Sequence, residues 1–246
     1  MEAYLDNSAT TRVDAQVQEL MKKLMDVDFG NPSSRHQKGV VAEGYIKEAR
    51  QKIAATLKVD PKEFIITSGG TESNNMALIG TALAAKRKGN HIITTAVEHP
   101  SVKATASFLE EQGFRITFLS VDSRGQISLE DLKEALTPDT ILVSIMYVNN
   151  EIGTIQPVEE AAKLVHATVP GAVFHVDAIQ AYGKVMIRPK QQGIDLLSVS
   201  SHKFHGPKGA GFLYCSSKVN LHPIIFGGGQ QSGMRSGTEN VPGAAG

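Results

Sequence analysis

The residues best suited to chemistry lie in Ser198-Val199-Ser200-Ser201-His202-Lys203-Phe204-His205-Gly206-Pro207-Lys208-Gly209. A lysine ends an apolar run, hydroxyls and histidines flank it, and a glycine-proline loop follows. A half-buried ammonium loses hydration, which lowers its pKa and makes it a candidate Schiff-base amine. Lys203 reads equally as an exposed loop lysine until the residues upstream are weighed. Those residues are Gly70-Thr71, His99, Asn150, and Asp177 with Gln180. Gly-Gly-Thr ahead of a helix is a plausible anion site, because free backbone amides and the helix dipole favour phosphate; many such turns bind nothing. His99 between Glu98 and Pro100 reads as a solvated loop histidine when taken alone. Asp177 ends an apolar run, where a buried carboxylate wants a cationic partner; it also reads as an N-cap. Asn150 and Gln180 taken singly could be turn and surface residues.

These residues share one expected position, the carboxyl end of a strand. The pattern predicts strands over Phe64–Thr67, His91–Thr95, Phe114–Leu119, Thr140–Met146, Val173–Asp177, Ile194–Val199 and Ala210–Tyr214. Helices are expected near Asp14–Met25, from a cap at Ser33 or Ser34 to about Lys58, from the Gly-rich turn to Lys88, from Pro100 to Gln112, from Ser128 to Leu136, and over Val158–Thr168. Strand alternating with helix predicts an α/β fold, three layers α/β/α around a mainly parallel sheet. In such a sheet the strand carboxyl ends share one edge, where residues distant in sequence converge. Residues 1–14 are expected to be an extended segment and 15–226 one large domain. Residues 227–246, opening on Gly227-Gly228-Gly229, read as too glycine-rich for core and as an interface loop.

Brought together, the residues specify a chemistry. A Schiff-base lysine, a carboxylate that can keep a pyridinium nitrogen protonated, and a phosphate cup are the parts pyridoxal phosphate needs. His99 is then a candidate to lie over the ring and move protons.

Composition narrows the class. The chain has 246 residues, 41% hydrophobic and 20% charged, with equal numbers of basic and acidic side chains. That balance argues against bulk nucleic-acid or anionic-membrane binding. No run approaches a membrane span, and Met1–Asp6 lacks the pattern of a secretory leader. The single cysteine, Cys215, fits a reducing cytoplasm.

The motif Ser200-Ser201-His202-Lys203 with Gly206-Pro207-Lys208-Gly209 resembles the cofactor-lysine motif of the cysteine desulfurases, within the class V aminotransferases. The likeness continues through Tyr4-Leu5-Asp6-Asn7-Ser8-Ala9-Thr10-Thr11, Thr67-Ser68-Gly69-Gly70-Thr71-Glu72-Ser73-Asn74, Glu98-His99, Val148-Asn149-Asn150-Glu151-Ile152-Gly153, His175-Val176-Asp177-Ala178-Ile179-Gln180 and Gly233-Met234-Arg235-Ser236-Gly237-Thr238. These motifs stand in the family's order over essentially the whole chain, and look most like the branch serving iron–sulfur assembly and tRNA thiolation.

The resemblance implies roles. Lys203 would join the cofactor and shuttle a proton. Asp177 would pair with the pyridinium nitrogen, and Gln180 with the ring's phenolic oxygen. His99 would stack on the ring and act as acid/base. Thr71, Ser200 and His202, with the Gly70-Thr71 backbone, would hold the phosphate. Ser201 counts with this set; it and Gly70 are small-residue variants at tolerant positions. Asn150 would lie near the cofactor and the substrate carboxylate, and Thr238 would reach the phosphate of a neighbouring subunit in a homodimer. The implied substrate is L-cysteine, converted to L-alanine with sulfur passed as a persulfide to an acceptor or iron–sulfur scaffold protein. The family's nucleophilic cysteine and a carboxylate-binding arginine lie beyond the Arg-Ser-Gly-Thr motif, in a small C-terminal domain. On this reading the chain holds the cofactor domain, lacks that small domain, and transfers sulfur poorly or not at all; Cys215 is a buried small hydrophobe. The alternatives are another class V enzyme, such as an aminotransferase or a kynureninase-like lyase, and an inactive interaction module.

Overall fold

Among the described residues, seven strands form one sheet in the order β1-β7-β6-β5-β4-β2-β3. They are β1 (Phe64–Thr67), β2 (His91–Thr95), β3 (Arg115–Leu119), β4 (Thr140–Met146), β5 (Val173–Asp177), β6 (Leu196–Ser200) and β7 (Gly211–Cys215). The computed structural model describes residues 3–246; Met1 and Glu2, the start of the expected N-terminal segment, lie outside it. The helices are α1 (Ala15–Asp26), α2 (Gln37–Leu57), α3 (Gly70–Ala85), α4 (Pro100–Glu111), α5 (Leu129–Ala135), α6 (Val158–Thr168), α7 (Pro189–Gln192) and α8 (Val241–Ala245).

The sheet is mainly parallel. β7 alone runs the other way, pairing antiparallel with both β1 and β6. Alternating apolar residues build both faces, as a doubly covered sheet requires. One face contributes Ile93, Val143, Ile145, Phe174, Val176, Leu197 and Val199 to a core shared with α5 and α6. The other contributes Ile65, Ile92, Leu142, Leu196 and Leu213 to a core under α3 and α4. The three expected layers are therefore present.

Two boundary expectations are corrected. Neither Ser33 nor Ser34 caps α2. Asn31 folds the preceding turn by accepting from the Ser33 backbone N–H at 2.9 Å, which delays the helix to an N-cap at His36. The tail is not all outside the core: Val241 on α8 is buried against Leu24, Ala42, Ile46 and Ile66. Pro242 and the Asn240 side-chain cap make a helix possible in that glycine-rich stretch.

Chain order fixes where a ligand can enter. From β4 the chain steps through β5 and β6 toward one edge, whereas β2 leads to β3 at the other. The crevice between the ends of β2 and β4 is thus a topological switch point, where open α/β sheets bind ligands.

Candidate functional site

A cavity of about 430 Å³ opens at this edge. Its lining includes Gly70, Thr71, His99, Asn150, Asp177, Gln180, Ser200, His202 and Lys203. The register explains the convergence: Met146, Asp177 and Ser198 are aligned across β4, β5 and β6, so the loops leaving these strands emerge together.

Lys203 stands one turn beyond β6, on the 3-10 turn Ser201–Lys203. Its Nζ donates to the Ala9 carbonyl at 2.8 Å and to that of Ser8. Burial, then the charge of Lys184, holds its pKa below the usual lysine range, against the pull of Asp6, Asp177 and Glu151. Asp177 is 4% exposed. Burial raises its carboxyl pKa, opposed by hydrogen bonds from the Ile179 backbone N–H at 3.0 Å and Asn74 Nδ2 at 2.8 Å. A buried carboxyl and a depressed amine on one cavity wall form a polar pair that a cationic ring nitrogen and an aldehyde could each engage.

Beside them lies the anion cup. Gly69 is the N-cap of α3, with φ of 141°, so no side chain covers the first amides of the helix. A side chain there would adopt a strained backbone and bring its Cβ to 3.3 Å from Ser200 Oγ. A second hollow of about 540 Å³ at this turn is lined by Gly70, Thr71, Ser200, His202 and Lys208. His202 Nδ1 lies 3.1 Å from Thr10 Oγ1. Burial, then Lys203 and Lys208, holds its pKa below the usual histidine range.

Gln180 is nearly buried; its Nε2 donates to the Ser8 carbonyl at 2.9 Å and its Oε1 faces Lys184 Nζ at 3.4 Å. Asn150 donates to Glu151 at 2.6 Å on the cavity rim. One expected residue does not join the site. Ser201 Oγ faces the carbonyls of Pro207 and Ala210, 2.9 Å from the latter, so its hydroxyl closes the Gly206–Gly209 loop and does not enter the cavity. Thr238 is exposed and lines neither hollow.

Several contributors were missed by the sequence reading. The loop carrying Asp6, Ser8 and Ala9 crosses the cavity, pinned where Thr11 N donates to the His202 carbonyl at 2.8 Å. Its small polar residues gave no periodic signal. Asn74 and Ser101 lie behind Asp177 and His99, and helical spacing alone does not distinguish such residues from ordinary helix positions. Glu98 is 2% exposed and accepts from Thr95 Oγ1 at 2.9 Å and Met146 N at 2.8 Å. It ties the end of β2 to the end of β4, while burial and then the neighbouring Asp177 push its carboxyl up to about 8.

The residues fit pyridoxal phosphate. Asp177 would hold the ring nitrogen, the α3 amides with Thr71, Ser200 and His202 the phosphate, and Lys203 the aldehyde carbon. Cys215 does not belong to this set. It sits at the far end of β7, and burial, then Glu63 and Asp195, push its thiol up to about 12.

Comparison with known proteins agrees. A relative from Bacillus subtilis (strain 168), "Putative cysteine desulfurase IscS 1", is 51% identical over 243 residues, spanning 99% of this chain and 64% of its own length. "Cysteine desulfurase IscS" of Dictyoglomus turgidum is 50% identical over 245 residues, 100% of this chain and 62% of that protein. The chain therefore spans less than two thirds of these relatives. Among solved structures, a NifS-like protein superposes with a TM-score of 0.97 at 44% identity, over 100% of this chain and 67% of its own. "SspA in complex with cysteine" superposes with a TM-score of 0.95 at 40% identity, over 99% of this chain and 70% of its own. The class V aminotransferase model matches residues 3–246. Enzymes of this kind depend on pyridoxal phosphate, the group the cavity fits. The match spans every strand of the sheet and both hollows at its edge, and on that ground the chain belongs to the class V aminotransferase family.

Proposed function

We propose that this chain supplies the cofactor-binding part of a cysteine desulfurase, which converts L-cysteine to L-alanine and passes the sulfur to a thiol as a persulfide. The observation that carries the reading is the meeting of Lys203, Asp177 and the uncapped start of α3 on one cavity at the switch point. The names of the relatives and of the cysteine complex support the choice of substrate.

When bound, pyridoxal phosphate supplies an electron sink that labilises bonds at the substrate's α- and β-carbons. The protein's own groups do the rest. The depressed pKa of Lys203 leaves more of its amine unprotonated, as an attacking and proton-carrying group requires. Asp177 would keep a proton on the ring nitrogen. His99, on the cavity wall, would serve as acid or base, Gln180 would orient the ring oxygen, and Asn150 at the rim would meet the substrate carboxylate. Breaking the carbon–sulfur bond leaves a proton to be returned to carbon while sulfur goes to a thiol. Cys215 is remote and held as the thiol, so it is not that acceptor.

The finer reading follows the resemblance. The enzyme works as a homodimer in the cytoplasm, with Thr238 reaching a neighbouring subunit, and delivers sulfur to an acceptor or scaffold protein for iron–sulfur assembly and tRNA thiolation. Met186 and Phe226 are large apolar side chains left exposed, surface that a partner subunit would cover. Titration of the cofactor-loaded chain with L-cysteine tests the reading. A saturable change in cofactor absorbance with L-cysteine, and none with kynurenine, is expected. Turnover of kynurenine, or amino transfer from alanine, with no response to cysteine would overturn it.

A further inference from the structure

Asp177 and His99 lie on different strand ends, yet two buried side chains, Asn74 and Ser101, link them. Asn74 Nδ2, on α3, is 2.8 Å from Asp177 Oδ2 and 2.9 Å from Ser101 Oγ. Ser101 Oγ is in turn 2.8 Å from His99 Nδ1. Asn74 is 0% exposed and Ser101 8%.

One backbone donor sets the direction of the bonds along this chain. The Ser101 backbone N–H donates to His99 Nδ1 at 3.1 Å, because His99 is the N-cap of α4. A backbone N–H can only donate, so Nδ1 must offer its lone pair. Ser101 Oγ therefore donates its own proton into that same lone pair, sharing it with the backbone N–H in a three-centre arrangement, and accepts from Asn74. The second N–H of Asn74 goes to Asp177. Turning the amide over would set Oδ1 against the carboxylate. In the observed setting Oδ1 is buried with no partner among the described residues. Leaving an acceptor unpaired is unfavourable, and the two N–H bonds are what the position gains in exchange.

We infer that Asn74 and Ser101 are positioning residues that couple the two ring-facing groups: together they aim the Asp177 carboxylate and fix the His99 tautomer with its proton on Nε2. The inference rests on the reading of Asp177 and His99 as cofactor-facing residues. It adds that one amide serves both, so the pair responds as a unit.

The test uses the intact chain and two shape-matched variants, Ser101→Thr, which keeps a hydroxyl, and Ser101→Val, which does not. Both add bulk at the same buried position, so a purely packing role would move them together. Nitrogen-15 NMR of the histidine ring, with no cofactor added, reads the tautomer. In the unaltered chain and in Ser101→Thr, His99 is expected to show a bare Nδ1 and a protonated Nε2. In Ser101→Val the backbone N–H still donates to Nδ1, so the tautomer persists and the Nδ1 resonance shifts only as far as loss of the hydroxyl donor requires. Titration with pyridoxal phosphate reads the coupling: Ser101→Val and Asn74→Ala bind about tenfold more weakly, as losing a hydrogen bond to a charged network predicts, and Ser101→Thr stays within about twofold of the parent. A proton on Nδ1 of His99 in the unaltered chain overturns the inference, and so do equal affinities for the Thr and Val variants. The NMR result on the unaltered chain stands whether or not a variant folds. A parent chain with the expected tautomer that binds no pyridoxal phosphate would overturn the cofactor reading and leave the hydrogen-bond assignment supported.

Discussion

Acid should weaken this fold through His175, by an amount that the structure fixes. His175 lies on β5 two residues before Asp177, with its side chain 0% exposed. Its ring bridges to both neighbouring strands, Nδ1 to Ser144 Oγ at 2.8 Å on β4 and Nε2 to Ser198 Oγ at 2.9 Å on β6. Burial pushes its pKa down to about 3, from an ordinary value of 6.5. Above 6.5 the ring is neutral in both folded and unfolded chains and costs nothing. Below 6.5 the unfolded chain takes up a proton that the folded chain refuses, so stability falls as pH falls, by about 1.4 kcal/mol per pH unit, until about 3. Between pH 7 and pH 5 the loss is about 2 kcal/mol. Glu98 has the opposite sign over part of this window. Its folded pKa is raised, so it favours the folded state at the acid end, and total stability mixes the two. The difference between the parent and His175→Gln isolates the histidine. Urea unfolding followed by circular dichroism at pH 7, 6 and 5 measures it. The variant is expected to be less stable by about 1–3 kcal/mol at pH 7, the range for a buried hydrogen-bonding group left unpaired. That gap should shrink by about 2 kcal/mol at pH 5. A gap that stays constant from pH 7 to pH 5 would refute the reasoning, because His175 would then titrate alike in both states.

Asp177→Asn should raise the melting temperature of the cofactor-free chain at pH 7, because burial disfavours the charge that the substitution removes. The same variant should lose the stabilisation by pyridoxal phosphate, about 2.7 kcal/mol at a hundredfold excess over Kd. Calorimetry with and without cofactor reads both, and a lower cofactor-free melting point would contradict the account. Cys215 should react with iodoacetamide at pH 8 about a thousandfold more slowly than an ordinary cysteine, since its thiol is pushed up to about 12 from 9.0. Labelling of the folded chain at the rate of a free thiol would show that the burial argument fails.

The strands were legible because each is a short apolar run bounded by turn residues, and β1, β2 and β4 start and stop where the pattern places them. The reversal of β7 was not. Gly211–Cys215 reads as a buried strand in either direction, and only the tight Gly206–Gly209 return makes it antiparallel to β6. The principal site residues were legible through strand ends: Asp177, Ser200 and Lys203 each follow an apolar run into polar sequence. Asn74, Ser101 and Glu98 were not, because the contacts that tie them to the site across elements span 27 to 103 residues and no local pattern encodes a contact at that range. Ser201 shows the limit of motif reading, since it stands two residues before Lys203 in sequence yet points its hydroxyl at loop carbonyls.

The central claim is that Lys203 and the cavity around it hold pyridoxal phosphate. The most direct measurement is the absorbance spectrum of the purified chain with added cofactor, beside Lys203→Ala. The account predicts a cofactor band in the parent that borohydride abolishes and that Lys203→Ala lacks. A parent chain without such a band, or a variant that keeps a borohydride-sensitive one, would contradict it.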